Sequence, residues 1–149
     1  MLRFSKLRNN AKLKWMGKGA YSLSLLSGWA CPNAHLCNSR VIETKDGRRI
    51  KDGIHTQFRC FSASAEVIFK KLYEQRKHNF EELKKVSQSV SDMKELILKS
   101  LPTDATIIRI HIAGDYFNQR YFDAWLAVAA ERPSVIFYSY TKSIKFWTN

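Results

Sequence analysis

Cys31, Cys37 and Cys60 are the residues most able to do chemistry in this chain. Three is an odd number, so intramolecular pairing would leave one thiol over. A single cysteine is usually a small apolar side chain. Two cysteines six positions apart, with Pro32 stiffening the loop between them, read instead as part of a metal site. Paired C-x-x-C knuckles of the zinc-ribbon type are absent. Thiolates suit both zinc and iron–sulfur centres. One option is zinc held by three cysteines with His35 or His55. The other, favoured here, is a cluster whose fourth iron is open or bound by a non-cysteine group.

The elements that must position these thiols follow from periodicity. Tyr21, Leu23 and Leu25 alternate with Ser22 and Ser24, which predicts a strand that Gly28 ends. The loop from Trp29 to Cys37 follows. Val41–Thr44 and Arg48–Lys51 flank Lys45-Asp46-Gly47 and predict a hairpin. A helix over about 62–77 follows Cys60, with Val67, Ile68 and Leu72 on its apolar face. Asn79 with Glu82 reads as the capping box of a second helix, which runs to about Ser100 ahead of Pro102. Phe80, Leu83, Val86, Val90, Met93 and Ile97 are its inward residues. Ile108, Ile110 and Ile112 alternate with Arg109 and His111 in a second strand that Ala113-Gly114-Asp115 ends. A third helix over about 118–131 turns Phe122, Trp125, Leu126 and Ala129 inward. Val135–Tyr140 is a third strand, followed by Thr141-Lys142-Ser143.

Strands separated by helices predict an α/β fold: a small parallel-sheet core with right-handed helical crossovers. In such sheets ligands sit at the carboxyl ends of the strands. The cysteines, Gly114-Asp115 and Thr141-Lys142 should therefore share one edge. Gly114 allows close backbone approach, and Asp115 either caps the next helix or faces a ligand as a hydrogen-bond acceptor or fourth cluster ligand. His111 and Arg109 share one face of their strand and suggest a polar interior. Phe58, Phe61, Tyr116, Phe117 and Phe137 serve either as core or as a shield for a cluster.

The chain has 149 residues and a 45% apolar content, enough for one folded core and too apolar for disorder. No apolar run approaches the roughly 18 residues that cross a bilayer, so no membrane partner is expected. No signal peptide is read at the basic N-terminus, which makes the cytoplasm the default compartment. The net charge of +12 points to an anionic partner such as nucleic acid. Met1 to Ile42 contains no acidic residue, while Arg3, Lys6, Arg8, Lys12, Lys14, Lys18 and Arg40 are basic. Part of that charge can also balance cluster thiolates. Residues 1–18 are read as a basic N-terminal arm, extended or loosely attached, and 19–149 as a single α/β metal-binding domain.

Four segments carry a family resemblance: Trp29 to Cys37, Gln57 to Ser64, Arg109 to Phe117, and Tyr138 to Ser143. Together they resemble the bacteriophage family called gene product eighty-eight, over nearly the whole chain after about Gly19. That resemblance implies a viral origin and the cytoplasm of the infected host cell. The layout also looks like a shortened radical SAM-type partial barrel. This second likeness implies a [4Fe-4S] cluster on Cys31, Cys37 and Cys60, with S-adenosylmethionine on the open iron and Gly114 with Asp115 as the cofactor-binding turn. The spacing departs from C-x-x-x-C-x-x-C, the later turn lacks Gly-Gly-Glu, and three strands cannot close such a barrel. Redox or radical-type chemistry is the first expectation. An electron carrier or redox sensor with a protein redox partner is the alternative, as is a zinc-stabilised nucleic-acid-binding module.

Overall fold

The computed structural model describes residues 1–7, 11–55 and 59–148, with backbone alone for 11–13. Arg8, Gln57 and Phe58 therefore lie outside the described residues, as does the Lys12 side chain. The elements are β1 (Ser5–Lys6), a 3₁₀ helix (Ala11–Met16), β2 (Ala20–Leu23), β3 (Arg40–Thr44), β4 (Gly47–Lys51), α1 (Phe61–Ile68), α2 (Lys70–Lys85), α3 (Val90–Ser100), β5 (Ile107–Ile110), α4 (Gln119–Glu131), β6 (Ile136–Ser139) and a closing 3₁₀ turn (Ile144–Trp147).

The expected parallel core is present: β2 pairs with β5 and β5 with β6, all parallel. β1 adds an antiparallel edge strand, giving the order β1-β2-β5-β6. The fold is mixed α/β with an open sheet and no closed barrel. β3 and β4 form a separate hairpin.

Alternation divides the sheet into two chemically different faces. Leu23, Ile108 and Ile110 turn to one side, where Met93 and Ile97 of α3 and Tyr121, Phe122, Trp125 and Val128 of α4 complete the main core. Each such aliphatic side chain stabilises the fold by about 1.5–3 kcal/mol on burial. The opposite face carries Ser22, Arg109 and Tyr138 in register across the parallel strands. His111, expected on this face with Arg109, instead lies beyond the strand at φ +69°, where the chain leaves the alternation, and its ring packs against Tyr116 and Tyr121 of the main core.

Several expectations are corrected. The helix expected to run past Phe69 stops there, and α2 begins immediately afterwards. The cause is tertiary: Arg48 of the hairpin donates to the carbonyls of Glu66 (3.1 Å) and Val67 (3.0 Å), satisfying the end of α1. Ile68 consequently faces solvent, and Leu126 on α4 does too. Asn79 caps nothing. It lies within α2, buried, accepting from the Arg3 N–H (2.7 Å) and donating to the carbonyls of Arg3 (2.9 Å) and Ser24 (3.1 Å). The actual break comes at Ser89, whose hydroxyl accepts from the Asp92 N–H at 3.1 Å and starts α3. The first seven residues are docked rather than loose: Leu2 and Leu7 are buried, and β1 pairs with β2.

Candidate metal centre

After β2 the chain makes a tight series of turns rather than a regular helix. Cys31 N–H donates to the Gly28 carbonyl (3.2 Å), Ala34 N–H to Cys31 (3.2 Å) and Cys37 N–H to Ala34 (3.2 Å). The coil is stitched to the end of β5 by Asp115 N–H donating to the Ala30 carbonyl at 3.0 Å. Trp29 clamps its outer side, with Nε1 on the Val41 carbonyl (2.9 Å) and the Arg40 guanidinium 4.4 Å from its ring.

Cys60 is brought to this coil by Ser39. The Ser39 hydroxyl donates to the Cys37 carbonyl (3.2 Å) and accepts from the Cys60 N–H (3.4 Å), so one buried serine joins the two cysteine segments. Gly53 sets the approach on the other side. A Cβ there would stand 2.3 Å from the Cys37 carbonyl oxygen, so only glycine lets the chain after β4 pass. A second small core of Leu26, Val41, Ala63 and Tyr73 supports Cys60 from below.

A buried charge network anchors the coil's start. Glu66 Oε1 accepts from the Ser27 N–H (3.1 Å), the Ser27 hydroxyl (2.9 Å) and Arg76 (2.9 Å). Glu66 is fully buried and Arg76 nearly so. Neither was identifiable as a site residue from sequence, and nor was Ser39.

All three cysteines are free thiols. They line a single cavity of about 260 Å³, together with Gly114, Asp115 and Arg109 among others. The expected gathering of polar clusters at the strand ends is therefore present. Burial pushes the Cys31 thiol up to about 12, and the charges of Asp115, Cys60 and Cys37 push the same way against a hydrogen bond involving Gly28. A thiolate at Cys31 thus needs a cation to offset its cost. Among the described residues, no three His, Cys, Asp or Glu side chains close on one point as ligands of a single ion.

Asp115 is buried, but it is not the cap of α4. That role belongs to Asn118, whose side chain accepts from the Tyr121 N–H at 2.8 Å. Asp115 Oδ1 accepts from Tyr116 N–H (2.8 Å) and the Thr141 hydroxyl (2.5 Å), and Oδ2 from Lys142 N–H (2.9 Å). The carboxylate therefore ties the end of β5 to the end of β6, leaving about one acceptor position for a ligand donor. Ser143 continues the seam, donating to the Tyr116 carbonyl (3.1 Å) and accepting from Asn33 (3.0 Å). Gly114 has φ +80°, and a Cβ on it would lie 2.7 Å from that of Leu25. Gly114→Ala should therefore lower stability by about 1–3 kcal/mol in urea unfolding; an unchanged midpoint would show the turn to be relaxed.

His111 is buried and has φ +69°, an uncommon conformation for a residue with a side chain. Its Nε2 lies 3.1 Å from the Tyr121 hydroxyl, and its Nδ1 has no partner among the described residues. Burial pushes its pKa down to about 4, with the charge of Asp115 partly opposing. The folded value is below the ordinary 6.5, so the neutral ring stabilises the fold fully above pH 6.5. That contribution, on the order of 3 kcal/mol, is lost as pH falls from there through about 4. In chelator-treated protein, the stability difference between wild type and His111→Phe should shrink by about that much from neutral pH to pH ~4. A pH-independent difference would show that the ring is solvated.

Tyr116, Phe117 and Phe137 do not shield the cysteines; they are packed into the aromatic core around Tyr121 and Trp125. Phe61 does border the cavity, but it is largely exposed. No helix among the described residues is long and apolar enough to cross a membrane.

No curated protein and no solved structure matches this chain. The likeness to radical SAM enzymes accordingly has no support from comparison. The model of the family described as Gene product 88 matches residues 3–149, and the chain belongs to that family of phage proteins.

Proposed function

We propose that the chain holds a [4Fe-4S] cluster on Cys31, Cys37 and Cys60 and uses it for redox or radical-type chemistry in the infected host's cytoplasm. One observation carries this reading: three free cysteines, two from the coil after β2 and one from the start of α1, border the same cavity at the strand ends. Three thiols on one cavity fit three irons of a cluster, or a zinc ion with one further ligand. When bound, such a cluster supplies a one-electron couple and an iron without a cysteine ligand.

The chain's own residues have separate tasks in this account. Ser39 fixes the spacing of Cys37 to Cys60, and Glu66 with Arg76 fixes Ser27 at the coil's start. Asp115 and Thr141 close the far wall, and Gly114 brings backbone to the cavity without a side chain. S-adenosylmethionine on the open iron is the finer version, favoured by the order of cysteine coil and glycine turn after successive parallel strands. A carrier or sensor without turnover is the simpler one.

The electron-spin signal of the reduced protein, recorded with and without S-adenosylmethionine, separates them. Reversible one-electron reduction with a signal altered by S-adenosylmethionine supports radical-type chemistry. An unaltered signal leaves the carrier, whose partner is then a redox protein. A protein with zinc and no such signal removes both. The competing module would then contact nucleic acid through the basic arm, with steeply salt-dependent affinity.

A further inference from the structure

The cavity is bordered by a guanidinium that no carboxylate pairs among the described residues. Arg109 borders it, yet among the described residues its guanidinium takes part in no ion pair, and its buried Nε has no hydrogen-bond partner. Its recorded neighbour is an aromatic ring: the guanidinium carbon lies 5.4 Å from the centre of Tyr140. The carboxylate on the same cavity wall, Asp115, is committed to Thr141, Lys142 and Tyr116. A guanidinium beside a ring and unpaired among the described residues can receive a planar oxyanion through parallel N–H donors.

His111 adds a second donor. The Tyr121 hydroxyl lies 3.1 Å from His111 Nε2, and we assign the tautomer in which that hydroxyl donates to Nε2. The proton of the neutral imidazole then sits on Nδ1, which is buried and unpartnered on a residue that borders the same cavity. A buried donor without a partner is costly unless something bound satisfies it.

We propose that Arg109 and His111 form an anion subsite beside the cysteines, taking the carboxylate of a small molecule. Arg109 and Lys142 against Asp115 leave the cavity lining one positive charge in excess, which a monocarboxylate balances better than a phosphate dianion. The subsite shares its cavity with the proposed cluster but does not depend on it.

The test is isothermal titration of acetate, a monoanion at neutral pH, with inorganic phosphate and ionic-strength-matched chloride as comparators, into the full chain. Wild type, Arg109→Gln, Arg109→Lys and His111→Gln are compared, each checked for folding by circular dichroism and for iron and sulfide content. The expected result is saturable acetate binding that exceeds phosphate binding, weakened about tenfold or more in Arg109→Gln. Arg109→Lys, which keeps charge and loses the fork, should fall between, and His111→Gln should weaken binding less than Arg109→Gln does. Equal affinity in wild type and Arg109→Lys, or no heat beyond chloride, would overturn the subsite. Phosphate binding more tightly than acetate would overturn the assignment to a carboxylate. Iron content reports on the cluster separately, so either conclusion can fail while the other stands.

Discussion

Cys60→Ser should strip the iron–sulfur centre, leaving protein with little bound iron or acid-labile sulfide and without the broad absorption near about 400 nm. The change removes one sulfur and adds no bulk, so the chain should still fold. Cys60 starts α1 without capping it through its side chain, and its N–H still reaches Ser39. A serine hydroxyl at neutral pH is a far poorer ligand than a thiolate. With Cys37 a few residues from Ser39 and Cys31 on the same coil, two cysteines would remain, too few to retain a cubane firmly. Cys31→Ser and Cys37→Ser should behave alike. Metal analysis and optical spectra of the anaerobically prepared variants check this. Iron and sulfide retained at the wild-type level in Cys60→Ser would mean that the ligand set is wrong.

Arg76→Met should destabilise the fold by about 3–5 kcal/mol, because it leaves the Glu66 carboxylate buried without its cation. The two charged groups are both almost without solvent, and Glu66 Oε2 already has no partner among the described residues. Changing both residues to apolar ones of similar volume, Glu66→Leu with Arg76→Met, should recover most of that loss, since a buried ion pair often contributes little over a packed apolar pair. The Ser27 contact would still be gone, so the double variant should bind iron more weakly than its stability suggests. Urea unfolding of the single and double variants measures the coupling. If Arg76→Met costs less than about 1 kcal/mol, water reaches Glu66 and the anchor of the cysteine coil lies elsewhere.

Much of this arrangement was legible from pattern alone. The three alternating strands around Leu23, Ile110 and Tyr138 pair in parallel, and the strand-end rule brought Cys31, Cys37, Gly114 and Thr141 to one cavity. What pattern could not show are the polar residues that act through tertiary contact. Nothing in the spacing of Glu66 and Arg76 reveals that each is the other's partner. Ser39 lies between a cysteine loop and a hairpin, where a serine is unremarkable. The two-residue β1 is too short for alternation to register. Asn79 with Glu82 has the form of a helix start, but a buried asparagine can equally serve a neighbouring strand, and here the backbone continues through it. The break at Phe69 depends on Arg48, a hairpin residue about 20 positions earlier.

The central claim is met most directly by the metal content and optical spectrum of protein purified without oxygen, with iron, zinc and sulfide all quantified. The account predicts a brown protein absorbing near about 400 nm, with about four irons and four sulfides per chain. A colourless protein carrying about one zinc, or one that takes up no iron even after anaerobic reconstitution, would contradict it.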